Sequence, residues 1–166
     1  MLKELQLESN STEKLIEKYS DAVYRFALSR TGNKTDAEDV VQEVFMRLIK
    51  RKPKFNDDEH PKAWLFKATV NVAKNFYTSA WRRRAVLMPN NEITLQCKHS
   101  PKDYTKLATA LFKLEAKKRM CIHLFYFEDF SVTQISQATG YKESTVRSHL
   151  KRAREKLKLI LGENDA

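Results

Sequence analysis

Only three glycines and four prolines punctuate the 166 residues of this chain. A sheet-rich fold of that length needs many tight turns, which draw on those two residues, so their scarcity predicts a mainly helical protein. The length allows one ordinary domain or two very small ones, each with a modest core. No run of about 18 apolar residues occurs, which predicts no membrane span. The N-terminal MLKELQLESN lacks the apolar stretch of a signal peptide, so a cytoplasmic location is expected. Cys97 and Cys121 are too few for a disulfide framework, in keeping with a reducing compartment.

The net charge is +10, with 31 basic against 21 acidic residues, and a surplus of that size points to a polyanion, nucleic acid first. The least periodic stretch, 91–104, divides the chain. Residues 1–90 carry 17 basic and 12 acidic groups, 91–104 carry two of each, and 105–166 carry 12 and 7. Two equal +5 shares therefore flank a neutral connector. In the first, no acid lies between Trp64 and Asn91, while Lys67, Lys74, Arg82, Arg83 and Arg84 all do. In the second, Lys142 to Lys158 holds seven basic and two acidic residues. Charge runs are commonly no more than solvated helix faces. Two separate basic surfaces on two small helical units favour a binding role instead.

Leu15, Ile16, Tyr19, Val23, Phe26 and Ala27 recur at helical spacing over 12–30, and Gly32-Asn33 ends that helix. Thr35 and Glu38 have the spacing of a capping box and predict the next helix start. Ala37, Val40, Val41, Val44, Phe45, Leu48 and Ile49 then form one buried stripe, with Asp39, Gln42, Glu43, Met46 and Lys50 on the opposite face. Residues 52–61 read as a polar loop bracketed by prolines. Trp64, Leu65, Ala68, Val72, Ala73 and Phe76 predict a third amphipathic helix running into Trp81-Arg82-Arg83-Arg84. In the second half, Leu107, Ala110, Leu111 and Leu114 are helical, and 118–127 forms a denser apolar helix. Ser131 and Gln134 repeat the capping-box spacing, Gly140 supplies a turn, and 143–161 makes a long final helix. In that helix Val146, Leu150, Ala153 and Leu157 face inward. Arg147, Lys151, Arg154 and Lys158 face outward, with Ser148 and Arg152 toward the flanks.

A short helix, a glycine-containing turn and a longer basic helix make a helix-turn-helix pattern. Its second helix enters the major groove N-terminus first, so polar and basic residues belong in its first turns. Thr145, Arg147, Ser148, Lys151 and Arg152 meet that need. Arg147 or Arg152 suits a bidentate bond to guanine; Ser148 and Lys151 suit phosphates or base edges. The bland alternative is a helical hairpin with a charged outer face.

At this point the residues resemble a known family. Asp36-Ala37-Glu38-Asp39-Val40-Val41-Gln42-Glu43-Val44-Phe45-Met46-Arg47-Leu48 is similar to region 2.2 of bacterial RNA polymerase sigma factors. The similarity is greatest to the short extracytoplasmic-function (ECF) group, which has only sigma domains two and four. Ala63-Trp64-Leu65-Phe66 and Asn71-Val72-Ala73-Lys74-Asn75 resemble regions 2.3 and 2.4. Tyr126-Phe127-Glu128, Ser131, Gln134-Ile135, Ser144 to Ser148 and Arg152-Ala153-Arg154 resemble region 4.2. The resemblance runs from about residue 12 to 161, with its motifs in the family's order. Three positions depart from the pattern. Lys142 stands where a serine is usual and cannot accept the N-cap bond, leaving Glu143 or Ser144 for it. Asp129 stands for a glycine, and His123 for an aliphatic residue.

The resemblance implies an all-α fold of two small helical domains joined by a flexible linker, the C-terminal one a helix-turn-helix. Sigma domain two would span 1–90, the linker 91–104 and sigma domain four 105–166. The implied protein is not an enzyme, needs no cofactor, metal or small-molecule substrate, and recruits core RNA polymerase to promoters. Asp39, Gln42, Glu43 and Met46 would dock on the clamp helices of the largest polymerase subunit. Acid and amide groups that a DNA-facing surface would reject make sense there. Phe55, Trp64, Asn71, Lys74 and Asn75 would handle the melted −10 element, with Arg82, Arg83 and Arg84 on phosphates. A buried structural Trp64 is the competing reading. Thr145, Arg147, Ser148, Lys151 and Arg152 would read the −35 duplex. The family also implies an anti-sigma factor partner, often membrane-bound.

Two other functions are weighed on the residues. A helix-turn-helix repressor or activator accounts for the C-terminal helix but not for the Asp39–Lys50 face or the acid-free stretch. A metal-dependent nuclease needs convergent carboxylates, and the one dense cluster, Asp57-Asp58-Glu59-His60, reads better as a solvated loop. Cys97, His99, Cys121 and His123 supply zinc-ligand types, yet residues two apart on a helix point in different directions.

Overall fold

The computed structural model describes residues 1–55, 57, 59–84 and 102–163, with side chains described except at 4–10, 59, 77–84, 102–105 and 163. These residues form seven α-helices and no strand. They belong to two compact units, Met1–Met88 and Pro89–Ala166.

The first unit packs α1 (Leu2–Thr31), α2 (Lys34–Arg51) and α3 (Glu59–Arg84) against one another in all three pairings. Gly32 ends α1 at φ 77°, a left-handed conformation that costs glycine little, and its N–H closes on Leu28 O at 2.8 Å. The cap of α2 differs from the sequence expectation. Asn33, not Thr35, is the N-cap: its backbone is extended at φ −146°, and its Oδ1 accepts the Asp36 N–H at 2.8 Å. The Asn33 amide donates in return to the Asp36 carboxylate at 2.8 Å. Thr35 already lies inside the helix, where no cap is needed. Helix α2 ends at Lys52, itself left-handed at φ 42°, just before Pro53.

The polar loop is also shorter than expected. Asp57 Oδ1 accepts the His60 N–H at 2.9 Å, and α3 is under way from Glu59, two residues before Pro61. A proline is tolerated in a first turn because its missing N–H would have had no helical partner. Within α3 the expected stripe holds: Leu65, Val72 and Ala73 are buried, while Trp64, Ala68 and Phe76 pack partly buried against the core. Phe66, Thr69 and Val70 are buried as well, because α3 touches both other helices and so hides two faces. Phe66 meets Phe26 of α1 with ring centroids 5.2 Å apart. The buried Thr69 hydroxyl is satisfied by Leu65 O at 2.7 Å.

The second unit comprises α4 (Lys102–Phe112), α5 (Ala116–Ile122), α6 (Val132–Thr139) and α7 (Glu143–Glu163). Helix α4 takes in 102–104, the last three positions of the expected linker; positions 91–101 lie outside the described residues. Arg119 holds the chain just past α4, donating to Leu114 O at 3.1 Å and to Phe112 O at 3.5 Å, with its guanidinium over the Phe112 ring. The expected single helix over 118–127 is instead α5 followed by one π-helical turn, His123–Phe127. The wider turn keeps Leu124 buried yet leaves Tyr126 and Phe127 about half exposed. Asp129 takes the left-handed turn that glycine usually takes, at φ 56°. His123, in its aliphatic position, places Nε2 3.5 Å from the buried Glu128 carboxylate.

Ser131 and Gln134 do form a capping box: Ser131 Oγ accepts the Gln134 N–H, and Gln134 Oε1 accepts the Ser131 N–H at 2.8 Å. Ile135 and Ala138 of α6 and Val146, Leu150 and Ala153 of α7 are buried, and the two helices pack together. Gly140, at φ 79°, turns the chain between them. Among the described residues no helix is long and apolar enough to cross a membrane.

Candidate polymerase and nucleic-acid interfaces

Because a helix advances about 100° per residue, Asp39, Gln42, Glu43 and Met46 form one stripe along α2. Ala37, Val40, Val44 and Leu48 hold the opposite side in the core. All four stripe residues are exposed, and Ile49, expected on the buried stripe, is exposed too and joins Met46 one turn on. Exposed sulfur and aliphatic groups among acids and amides suit a protein partner better than a polyanion. Glu43 pairs with Arg47 at 2.9 Å.

On α3, Lys67, Asn71, Lys74 and Asn75 are exposed on one sector, and no described acid interrupts them. Phe55 and Trp64 sit differently. Both are partly buried against the first core, edge to face with centroids 6.5 Å apart, so each has a packing task whatever else it does. The backbones of Arg82, Arg83 and Arg84 belong to α3, but their side chains lie outside the described residues. A cleft of about 300 Å³ between α2 and α3 is lined by Asp39, Glu43 and Arg47 on one side and Val72, Asn75 and Phe76 on the other. Asn75, grouped with DNA-handling residues by sequence, therefore borders the acidic face of α2.

In the second unit, Arg147, Ser148, Lys151 and Arg152 are exposed and Thr145 is half-buried. Relative to the buried Val146, Leu150 and Ala153, helical geometry puts Ser148 near the middle of the outer face with Arg152 beside it, rather than on the flanks. Arg147 lies toward one flank, and so does Arg154. Arg154 Nε donates to the Tyr126 hydroxyl at 2.6 Å, and its guanidinium lies over the Phe125 and Tyr126 rings.

Near this helix Thr133 and His149 carried no sequence signal, and Glu143 carried only that of a candidate N-cap. Glu143 accepts from the Thr133 hydroxyl at 2.9 Å and from Arg147 Nη2 at 3.2 Å. His149 is half-buried against the Tyr141 ring, centroids 5.5 Å apart. Burial first, then repulsion from Lys118, Lys117 and Arg152, holds its pKa below the ordinary value against the opposing pull of Glu115. Each arises from contacts across the unit, which periodicity does not encode. Among the described residues no group of three His, Cys, Asp or Glu side chains could hold a metal ion. Cys97 and His99 lie outside the described residues, and Cys121 is buried.

Two family models match the chain: Sigma-70 region 2 over residues 15–83 and Sigma-70, region 4 over residues 104–157. ECF RNA polymerase sigma factor SigL of Mycobacterium tuberculosis is 32% identical over 155 residues, covering 90% of this chain and 88% of that protein. RNA polymerase sigma factor SigV of Bacillus subtilis is 29% identical over 144 residues, 86% of each chain. Among solved structures, the sigma factor RpoE bound to the anti-sigma factor NepR from Bartonella quintana superposes with a TM-score of 0.74 at 23% identity. That likeness of fold covers 90% of this chain and 96% of the other.

Proposed function

We infer the division of labour in this protein from its membership: the chain belongs to the extracytoplasmic-function (ECF) sigma factors of RNA polymerase. It is a regulatory DNA-binding protein that joins core RNA polymerase and directs promoter-specific transcription initiation. It has no catalytic chemistry of its own; the polymerase supplies that. Its working place is the cytoplasm, where polymerase and promoter are.

The first unit does two jobs. The stripe Asp39, Gln42, Glu43 and Met46 docks on the clamp helices of the largest polymerase subunit. Asn71 and Lys74, with Arg82, Arg83 and Arg84 further along α3, hold the opened −10 strands. Phe55 and Trp64, anchored in the core, offer ring edges to unpaired bases at its rim. Asn75 sits where the two surfaces meet at the α2–α3 cleft and can respond to either. In the second unit Thr145, Arg147, Ser148, Lys151 and Arg152 read the −35 duplex through the major groove. An anti-sigma factor restrains the protein, as one accompanies the similar RpoE in its solved complex.

The observation that carries this reading is the α2 stripe: acid, amide and exposed methionine on the outer face of a helix in a chain of net charge +10. A protein that met only DNA would gain nothing from it. Run-off transcription with bacterial core polymerase over a panel of promoters tests the reading. Initiation on a subset of templates is expected. Failure on every template, together with no retention on core polymerase, would sink it.

A further inference from the structure

Glu143 opens α7 with both carboxylate oxygens engaged: Oε1 by the Thr133 hydroxyl of α6, Oε2 by Arg147. As an ion pair, Glu143–Arg147 is an i,i+4 contact with side chains 41% and 63% exposed. Pairs of that kind contribute little to stability. What distinguishes this one is the third member. Thr133 is the second residue of α6 and lies within the Ser131–Gln134 capping box, so its hydroxyl rides on a fixed helix start. The chain Thr133–Glu143–Arg147 thus spans the turn at Gly140 and ties a guanidinium to the scaffold. Without it, that group would swing on a long side chain with many rotamers. A guanidinium held through Nη2 keeps other N–H donors for a base. Guanine presents two acceptors, O6 and N7, to such a fork, and the geometry rewards an arginine already aimed.

The carboxylate itself works against general affinity for DNA. It is one of only two acids in a segment holding seven basic residues, and it stands at the end of α7 that approaches the groove. A group that weakens attraction to every sequence has a place there if it sharpens the choice among sequences.

We propose that Glu143 is a positioning residue for promoter readout: together with Thr133 it aims the Arg147 guanidinium and so sets discrimination at the −35 base pair that Arg147 contacts. This rests on α7 being the −35 reading helix.

The test uses the full chain with core polymerase on one promoter whose −35 base pairs are substituted in turn, scoring relative initiation. Arg147→Ala is expected to lose about tenfold or more of the preference at one base pair. Glu143→Ala and Thr133→Val are expected to relax preference at that same pair by roughly three- to tenfold, leaving the other pairs and the thermal midpoint unchanged. Glu143→Gln, which keeps an acceptor for Arg147, should fall between. In an Arg147→Ala background, Glu143→Ala should change base preference no further. The inference is overturned if Glu143→Ala keeps the full preference, whether or not it strengthens binding to all sequences alike, or still alters preference without Arg147. A wild-type protein with no base preference anywhere in the −35 element overturns the reading of α7 itself, and Glu143 falls with it.

Discussion

Arg154 reaches back twenty-eight residues to Tyr126: its Nε donates to the phenolic oxygen at 2.6 Å while its guanidinium covers the ring at 5.5 Å. The contact pins the π-helical turn to the last helix at a place where both partners are exposed. A hydrogen bond from a charged donor at such a site contributes about 1 kcal/mol, and the ring face adds a similar amount. Tyr126→Phe removes the first and keeps the second. It should lower stability by about 1 kcal/mol, with Tyr126→Ala costing about twice that, as read by urea unfolding.

The cap of α2 falls on Asn33, where spacing points to Thr35. Asn33→Ala deletes the side chain that satisfies the Asp36 N–H and should cost about 1 kcal/mol. Thr35→Ala, inside the helix, replaces a weak helix former by the best one and should be neutral or slightly stabilising. Thermal denaturation of the two variants side by side decides it; an equal loss for both would contradict the Asn33 cap.

Gly140 and Gly162 both have open space where a Cβ would go, but only Gly140 has a positive φ. Gly140→Ala should therefore destabilise by about 1 kcal/mol through backbone strain alone. Gly162→Ala, in the last turn of α7, should stabilise slightly. The difference in their melting temperatures measures the left-handed turn between α6 and α7 without disturbing any packing.

His149 gives unit two a pH response of defined sign. Its folded pKa is depressed, chiefly by burial, so in the unfolded chain, with its ordinary value of 6.5, it binds a proton first as pH falls. Well above 6.5 the residue is neutral in both states and contributes no slope. Below 6.5 the unfolded state holds more protons, so stability falls progressively as pH drops toward the folded value. His149→Gln should flatten that part of the curve of melting temperature against pH. An unchanged slope would show that His149 does not titrate this way.

The α2 stripe should fail in a manner specific to polymerase. Asp39→Arg and Met46→Ala change exposed groups outside the core and should leave the fold intact. Each should weaken retention on core polymerase by about tenfold, while binding of the free protein to −35 duplex stays as it was. Loss of both activities together would mark an unfolding effect instead.

Much of this was legible in the residues. The stripes Ala37-Val40-Val44-Leu48 and Val146-Leu150-Ala153 are buried where their spacing placed them, and Ser131, Gln134, Gly32 and Gly140 punctuate the helices as expected. Spacing points to Thr35 as the cap where the structure has Asn33, since the cap depends on which residue takes the extended backbone. It also could not see Phe66, Thr69 and Val70 as core, because one amphipathic stripe describes a helix with one neighbour and α3 has two.

The helical class, the two basic shares around a neutral connector and the family follow from the residues in order along the chain. These are local or compositional properties, carried by periodicity, charge and motifs in order. The tertiary structure alone decided which side chains meet. It closed Thr133, Glu143 and Arg147 into one chain, laid Arg154 on Tyr126, and put Asn75 across a cleft from Asp39. Such contacts depend on how helices pack, and packing answers to the volume and shape of every side chain between them at once.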